Sequence, residues 1–261
     1  MGIFETHAHY DDARFDEDRE ELLASMPKRG IETIINVGSS LAGAMKSVEL
    51  AEKYPFVYAA VGVHPSDIGD FGEEPENKVM SRLMDATTKK KVVAIGEIGL
   101  DYYWDKDPNV QERQQYWFSR QIDLAVEADL PVIIHSRDAC EATLREMRRA
   151  AELGVPGVIH CFSYSLETAE QYLKMGYYIG IGGVVTFKNA KKLVEIATTI
   201  PLERILLETD CPYLAPEPFR GERNDSALLP YVVQKIAKLR EITEDEVIQV
   251  TRENARKLFG V

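Results

Sequence analysis

Cysteine is scarce in this chain, and no long apolar run breaks up its charged residues. Only Cys140, Cys161 and Cys211 occur among 261 residues. Three cysteines without a C-x-x-C pair supply neither a disulfide framework nor a thiolate zinc site, so reduced, mostly buried thiols are expected. No apolar stretch approaches the roughly 18 residues of a membrane span. The charged N-terminal segment has no secretory apolar core, which makes the cytoplasm the expected location. The opening MGIFET fits a myristoylation pattern, but Gly2 would begin a strand, which argues against lipidation. Positive charge is also short: 31 Lys and Arg face 43 Asp and Glu, a net charge of −12. That deficit speaks against broad attraction to nucleic acid or an anionic membrane, while leaving room for an anionic substrate held by local cations.

What the chain does have is a repeated alternation. Short β-branched runs recur: GIFETHAH, IETIINVG, FVYAAVGVH, VVAIGEIGL, PVIIHSR, GVIHCF, YYIGIGG and RILLETD. Between them lie stretches with apolar residues at helical spacing, such as DEDREELLASMPKR, NVQERQQYWFSRQIDLAVEA, ACEATLREMRRAAELG and SLETAEQYLKMG. Eight β-α units imply parallel strands. The expected architecture is an α/β fold, a single (β/α)8 TIM-type barrel over residues 1–261, with EDEVIQVTRENARKLFG as a closing C-terminal helix. The 45% hydrophobic content is ample for such a core.

All five histidines, His7, His9, His64, His135 and His160, fall at the C-terminal end of a predicted strand. Barrel enzymes keep their chemistry on that rim. A lone histidine there is more often hydrogen-bonded scaffolding, yet five of five sent to one rim, with none on the helices, favours a metal site. Strand four adds Glu97, and strand eight adds Glu208 and Asp210. Four histidines with Glu97 and Asp210 exceed the ligands of a usual single zinc, so two divalent ions are expected, with one carboxylate between them. His7, His9 and Asp210 are assigned to the first ion and His135 and His160 to the second, with Glu97 bridging. Zinc, magnesium, manganese, nickel and cobalt all suit such nitrogen and oxygen ligands.

THAH, GVHP, GEIGLDYY, IIHSRDA, HCFS, TFKNA, ETDCPYL and FRGERN stand in the order and spacing of the TatD family of metal-dependent deoxyribonucleases, which the chain resembles over essentially its whole length. The resemblance implies the same six ligands, His7, His9, Glu97, His135, His160 and Asp210. Three positions depart from it. Glu5 stands where relatives usually have aspartate, Tyr164 where a glycine is common, and Gly180 where many carry serine. Glu5 is expected either to support a ligand or to fill the barrel beneath the site, and Tyr164 to narrow the substrate mouth or offer a stacking surface.

Two ions activating one water suit phosphodiester hydrolysis. Asp210 is the candidate to orient that water and take its proton. Glu208 would hold a substrate group or a ligand histidine, or else serve as a structural carboxylate. His64 would contact the scissile phosphate or protonate the leaving group, or else bond the rim before Pro65. For the substrate, Arg137 is expected to face the pocket, and Arg220 and Arg223 could clamp phosphate or remain solvated loop charges. Tyr102, Tyr103 and Trp104 could stack on a base or simply pack the loop. So few local cations favour strand ends over wrapped duplex. The expected partner is therefore DNA, mainly single-stranded ends, with a 3′ start implied by the family resemblance and no obligatory protein partner evident. The alternative is hydrolysis of an amide, lactone or aminoacyl-tRNA ester on the same barrel. A binding protein with a structural metal is disfavoured by the surplus of ligands.

Overall fold

β-Branched runs bounded by turn residues pair as strands in the computed structural model of the chain, which describes residues 2–69 and 75–261. Eight strands lie in one sheet in sequence order: β1 (Ile3–Ala8), β2 (Ile31–Val37), β3 (Val57–Val61), β4 (Val92–Asp101), β5 (Val132–Arg137), β6 (Gly157–Ile159), β7 (Tyr178–Ile181) and β8 (Ile205–Leu207). Every consecutive pair is parallel. A helix comes after each strand in turn: α1 (Arg19–Ser25), α2 (Leu41–Lys53), α3 (Glu76–Thr87), α4 (Pro108–Ala128), α5 (Cys140–Glu152), α6 (Leu166–Lys174), α7 (Lys191–Thr199) and α8 (Leu229–Arg240). A ninth, α9 (Glu244–Phe259), comes after the last unit. The molecule is the expected (β/α)8 barrel. Among the described residues no helix is long and apolar enough to cross a membrane.

Local chemistry starts the helices. Ser40, Asp107, Ser165 and Thr243 each accept a backbone N–H of the first turn beyond them, satisfying a donor that the helix itself cannot. Inside the barrel, Phe4, Ile35, Ala60, Ala94, Ile133, Val158, Tyr178 and Leu206 give one cluster with a member from each strand. Ala255, Leu258 and Phe259 of α9 join it, and Phe259 stacks on Phe4 at 6.4 Å, so α9 closes the bottom of the barrel.

The seam between β1 and β8 is made differently from the others. β8 ends at Leu207, and the segment after it carries the pairing: Asp210 N–H donates to His7 O at 2.9 Å, and His9 N–H to Cys211 O at 2.9 Å. Glu5, fully buried, accepts from His7 N at 3.0 Å, Thr209 N at 2.9 Å and Thr209 Oγ1 at 2.7 Å. Its carboxyl thus ties the two edges together through backbone and hydroxyl donors, without touching a histidine ring. Burial pushes its pKa up to about 8, against the lowering effect of those bonds.

Several strands stop short of the runs expected from sequence. β6 ends before His160 and β8 before Glu208, and β3 ends three residues before His64. The backbone leaves the ladder at the rim in order to aim side chains inward. Cys161 and Asp210 adopt left-handed conformations, with φ of 45° and 59°, that extended strands do not permit. Register shifts between Glu5 and Ala8 have a similar effect on β1: Phe4 and His7, three apart, belong to the interior cluster and to the rim cluster, which strict alternation would put on opposite faces.

Candidate metal centre

The rim gathers imidazole nitrogens around one carboxylate. Glu97, on β4 and 4% exposed, turns its two oxygens to different partners. Its Oε2 lies 3.4 Å from His7 Nε2 and 3.6 Å from His9 Nε2. Its Oε1 lies 2.8 Å from His135 Nδ1 and 2.7 Å from His160 Nε2. Asp210 Oδ1 approaches His9 Nε2 at 3.3 Å and His7 Nε2 at 3.8 Å. The six residues expected to converge are therefore brought together. His160 stands between the two sides: its ring stacks on His7 at 4.0 Å, and it also falls in a group with His7 and Asp210 whose ligand atoms lie within 4.8 Å of one another.

Hydrogen bonds at the far nitrogens decide which lone pairs face inward. His9 Nδ1–H donates to Val37 O at 2.7 Å, since a carbonyl can only accept, leaving Nε2 bare in the neutral ring. His135 lies between two carboxylates, Asp101 Oδ2 3.2 Å from its Nε2 and Glu97 Oε1 2.8 Å from its Nδ1; with Nε2–H donated to Asp101, Nδ1 turns its lone pair to the centre. Asp101 is itself fixed by Tyr103 N–H and Trp104 N–H on its Oδ1. His64 is the reverse case. Its Nδ1 accepts from Ser66 N–H at 3.1 Å, so in the neutral ring Nε2 carries the hydrogen and points a donor towards Glu97 Oε1, 3.7 Å away. Proximity alone would group His64 with Glu97 and His135, but a nitrogen that holds a proton offers no lone pair.

The donor set fits divalent cations. His7 Nε2 and His9 Nε2 stand 3.0 Å apart among acceptor-only carboxylates. Burial alone would lower the pKa of His9, yet Asp210 and Glu97 raise it to about 10; likewise Asp101 and Glu97 raise His135 to about 9 against burial. Burial opposes charge on Glu97 too, but the surrounding imidazoles hold its carboxyl well below the usual range. A centre that draws protons onto buried imidazoles is short of positive charge, and a cation bound to the inward lone pairs supplies it.

His9, Glu97, His135, His160 and Asp210 line a cleft of about 590 Å³, with His64, Asp101, Trp104, Arg137, Tyr213 and Leu214 also among its walls. The Arg137 guanidinium lies 4.0 Å over the Tyr103 ring and 5.5 Å from that of Trp104. Of the other residues expected at the substrate, Tyr102 packs against the core and its hydroxyl accepts from Gln115 Nε2 at 2.8 Å, away from the cleft wall. Trp104, 67% exposed, takes the mouth position instead. Arg223 is engaged by the Asp18 carboxylate and Arg14 O, and Arg220 lies 4.4 Å over Phe187; neither lines the cleft. Tyr164 also stays off the wall, where its hydroxyl joins Ser136 Oγ at 2.8 Å to Ala139 N–H at 3.2 Å, holding the turn from β5 into α5. Glu208 Oε1 accepts from Cys161 N–H at 2.5 Å, which braces the left-handed backbone just after His160.

Comparison with known proteins points to one family. The family model described as TatD related DNase matches residues 4–260. The chain is 43% identical over 259 residues to YabD of Bacillus subtilis, named a metal-dependent hydrolase, covering 99% of each protein. It is 35% identical to YcfH of Escherichia coli, another protein named a metal-dependent hydrolase, covering 100% of this chain and 97% of the relative. The crystal structure of YjjV, a TatD homolog from E. coli, superposes with a TM-score of 0.90 at 34% identity, covering 99% of this chain and 98% of that one.

Proposed function

We propose that this chain, which belongs to the TatD family of metal-dependent hydrolases, cleaves the phosphodiester bonds of DNA from single-stranded 3′ ends. The observation that carries the reading is Glu97, with one oxygen turned to His7 and His9 and the other to His135 and His160. In this reading His7, His9 and Asp210 would hold one divalent ion and His135 and His160 a second, with Glu97 available to both. Bound there, the pair supplies Lewis acidity to a phosphoryl oxygen and makes water a nucleophile at neutral pH.

The protein's own groups do the rest. Asp210 borders the cleft, and its carboxylate takes the proton that the attacking water releases. His64, whose pKa burial lowers to about 3, is neutral at working pH and presents Nε2–H to the phosphate, the group that gathers negative charge as the bond breaks. Arg137, steadied over the Tyr103 ring, meets a neighbouring phosphate, and Trp104 offers a face to a base. Asp101 keeps His135 in one tautomer.

The test strips the protein of metal, restores one metal at a time and supplies end-labelled single-stranded DNA. A ladder shortening one nucleotide at a time from the 3′ end, abolished by chelation, is expected. DNA left intact under every metal, with an ester or lactone turned over instead, overturns the reading.

A further inference from the structure

A second cavity of about 560 Å³ opens beside the cleft, between the ends of β6, β7 and β8 and the start of α7. Cys161, Ser163, Val184, Asp210 and Leu214 border both spaces, so the two communicate next to the metal centre. The character of the second is different. Phe162, Val184, Phe187, Leu193 and Leu214 give it apolar walls, and its volume lies within the roughly 300–1,000 Å³ of small-molecule sites.

Two further features separate this space from ordinary packing. At its inner end Glu208 is 1% exposed, and its Oε2 meets no hydrogen-bond donor among the described residues. A buried carboxylate oxygen without a donor is costly, and a ligand N–H would satisfy it. Gly180 leaves Glu208 in place, because a Cβ there would sit 2.3 Å from that oxygen.

At the outer end the charge reverses. α7 begins at the cavity with no side-chain cap and no acid in its first turn, but with Lys191 and Lys192, both exposed. Lysines at a helix N-terminus oppose the dipole, so their presence there is not a stabilising device. Arg220 adds a third cation over Phe187. None of the three makes an ion pair with a described residue, apart from a through-space attraction between Lys192 and exposed Glu167. Free cations clustered at one apolar cavity in a chain of net charge −12 mark it as the receiver of an anion.

We infer that this side cavity is a subsite for the terminal nucleotide of strands that end in a 3′-phosphate: its base lies on the apolar wall with an N–H towards Glu208, and the 3′-phosphate, which a strand ending in a 3′-hydroxyl lacks, is held by Lys191 and Lys192. The inference rests on the phosphodiester reading above, since a nucleotide whose 5′-phosphate lies at the metals directs its 3′ group away from them.

Binding of thymidine 5′-monophosphate, thymidine 3′,5′-bisphosphate and 2-deoxyribose 3′,5′-bisphosphate to the full chain, by calorimetry, tests it without catalysis. The thymidine bisphosphate should bind about tenfold tighter than either other compound, a difference typical of one well-placed charged or stacking contact. In the double variant Lys191→Ala/Lys192→Ala, whose exposed side chains carry no packing, the advantage over the monophosphate should disappear while monophosphate binding is unchanged. Equal affinity for the two thymidine nucleotides, an advantage that survives the double variant, or an abasic compound that binds as well as the thymidine one each overturns the subsite. A protein that cleaves no DNA but keeps the lysine-dependent difference refutes the phosphodiester reading alone.

Discussion

A single hydrogen bond at the outer nitrogen separates His9 and His135, two of the histidines proposed as ligands, from His64, the proposed helper. His9 and His135 spend their outer N–H groups on Val37 O and Asp101, whereas His64 spends its outer lone pair on Ser66 N–H. His64→Ala should therefore keep its full complement of metal and lose about 10²-fold or more in turnover, the scale of a proton donor or phosphate contact. Glu97→Ala should lose both activity and bound metal, as elemental analysis of the two variants would read. Loss of a metal from the His64 variant would make it a ligand. Asp101→Asn should weaken metal binding by roughly 10- to 100-fold, because the amide no longer fixes the His135 tautomer by accepting alone; competition with a chelator dye measures this, and unchanged affinity would reduce Asp101 to a turn residue. The histidines and Glu97 were legible from sequence because rare residues fell repeatedly at strand ends. Asp101 was not singled out, although it lies four residues after Glu97 on β4, because a second carboxylate on a strand has no signature until the imidazole it supports is in place.

At the scale of the element, the seam of the barrel is closed at one of its two shortest strands. β8 has three residues, and the β1 edge is closed by Thr209, Asp210 and Cys211 beyond its end, with Glu5 accepting three donors across the seam. Glu5→Ala leaves those donors buried and unpaired, and should cost about 3 kcal/mol or more of stability, as urea unfolding would measure. Glu5→Gln keeps an acceptor for both backbone N–H groups and should lose far less. Equal losses would mean that volume, and not hydrogen bonding, holds the seam. Sequence periodicity located every strand through its β-branched run, but it overran β6 and β8, since buried residues such as His160, Glu208 and Thr209 follow the apolar run after the ladder has ended. Pattern records which residues are buried, and at a barrel rim the buried residues outlast the ladder.

Across the whole molecule, the fold was legible because eight repeats of one unit leave few alternatives, while the substrate path was not, because Arg220 and Arg223 share a short motif yet point to different neighbours. Only tertiary structure shows that the free cations lie at one end of the side cavity and not along a groove. That placement bears on how DNA reaches the metals. With a net charge of −12, the exterior repels a long polyanion, and among the residues that line the two spaces the cations are Arg137 at the mouth and Lys191 and Lys192 at the start of α7. A cleft of about 590 Å³ has room for a short single-stranded segment, and the adjoining cavity is bounded by apolar walls, so a strand that cannot offer an end would have to fold double to place an internal phosphate at the metals. Covalently closed single-stranded circles should accordingly be cut at less than about a tenth of the rate of linear strands of the same sequence, and a bulky 3′ block on the linear strand should slow cleavage comparably. Circles cut as fast as free ends would show that the cleft accepts a looped strand, which would refute access through ends while leaving the two-metal hydrolase intact.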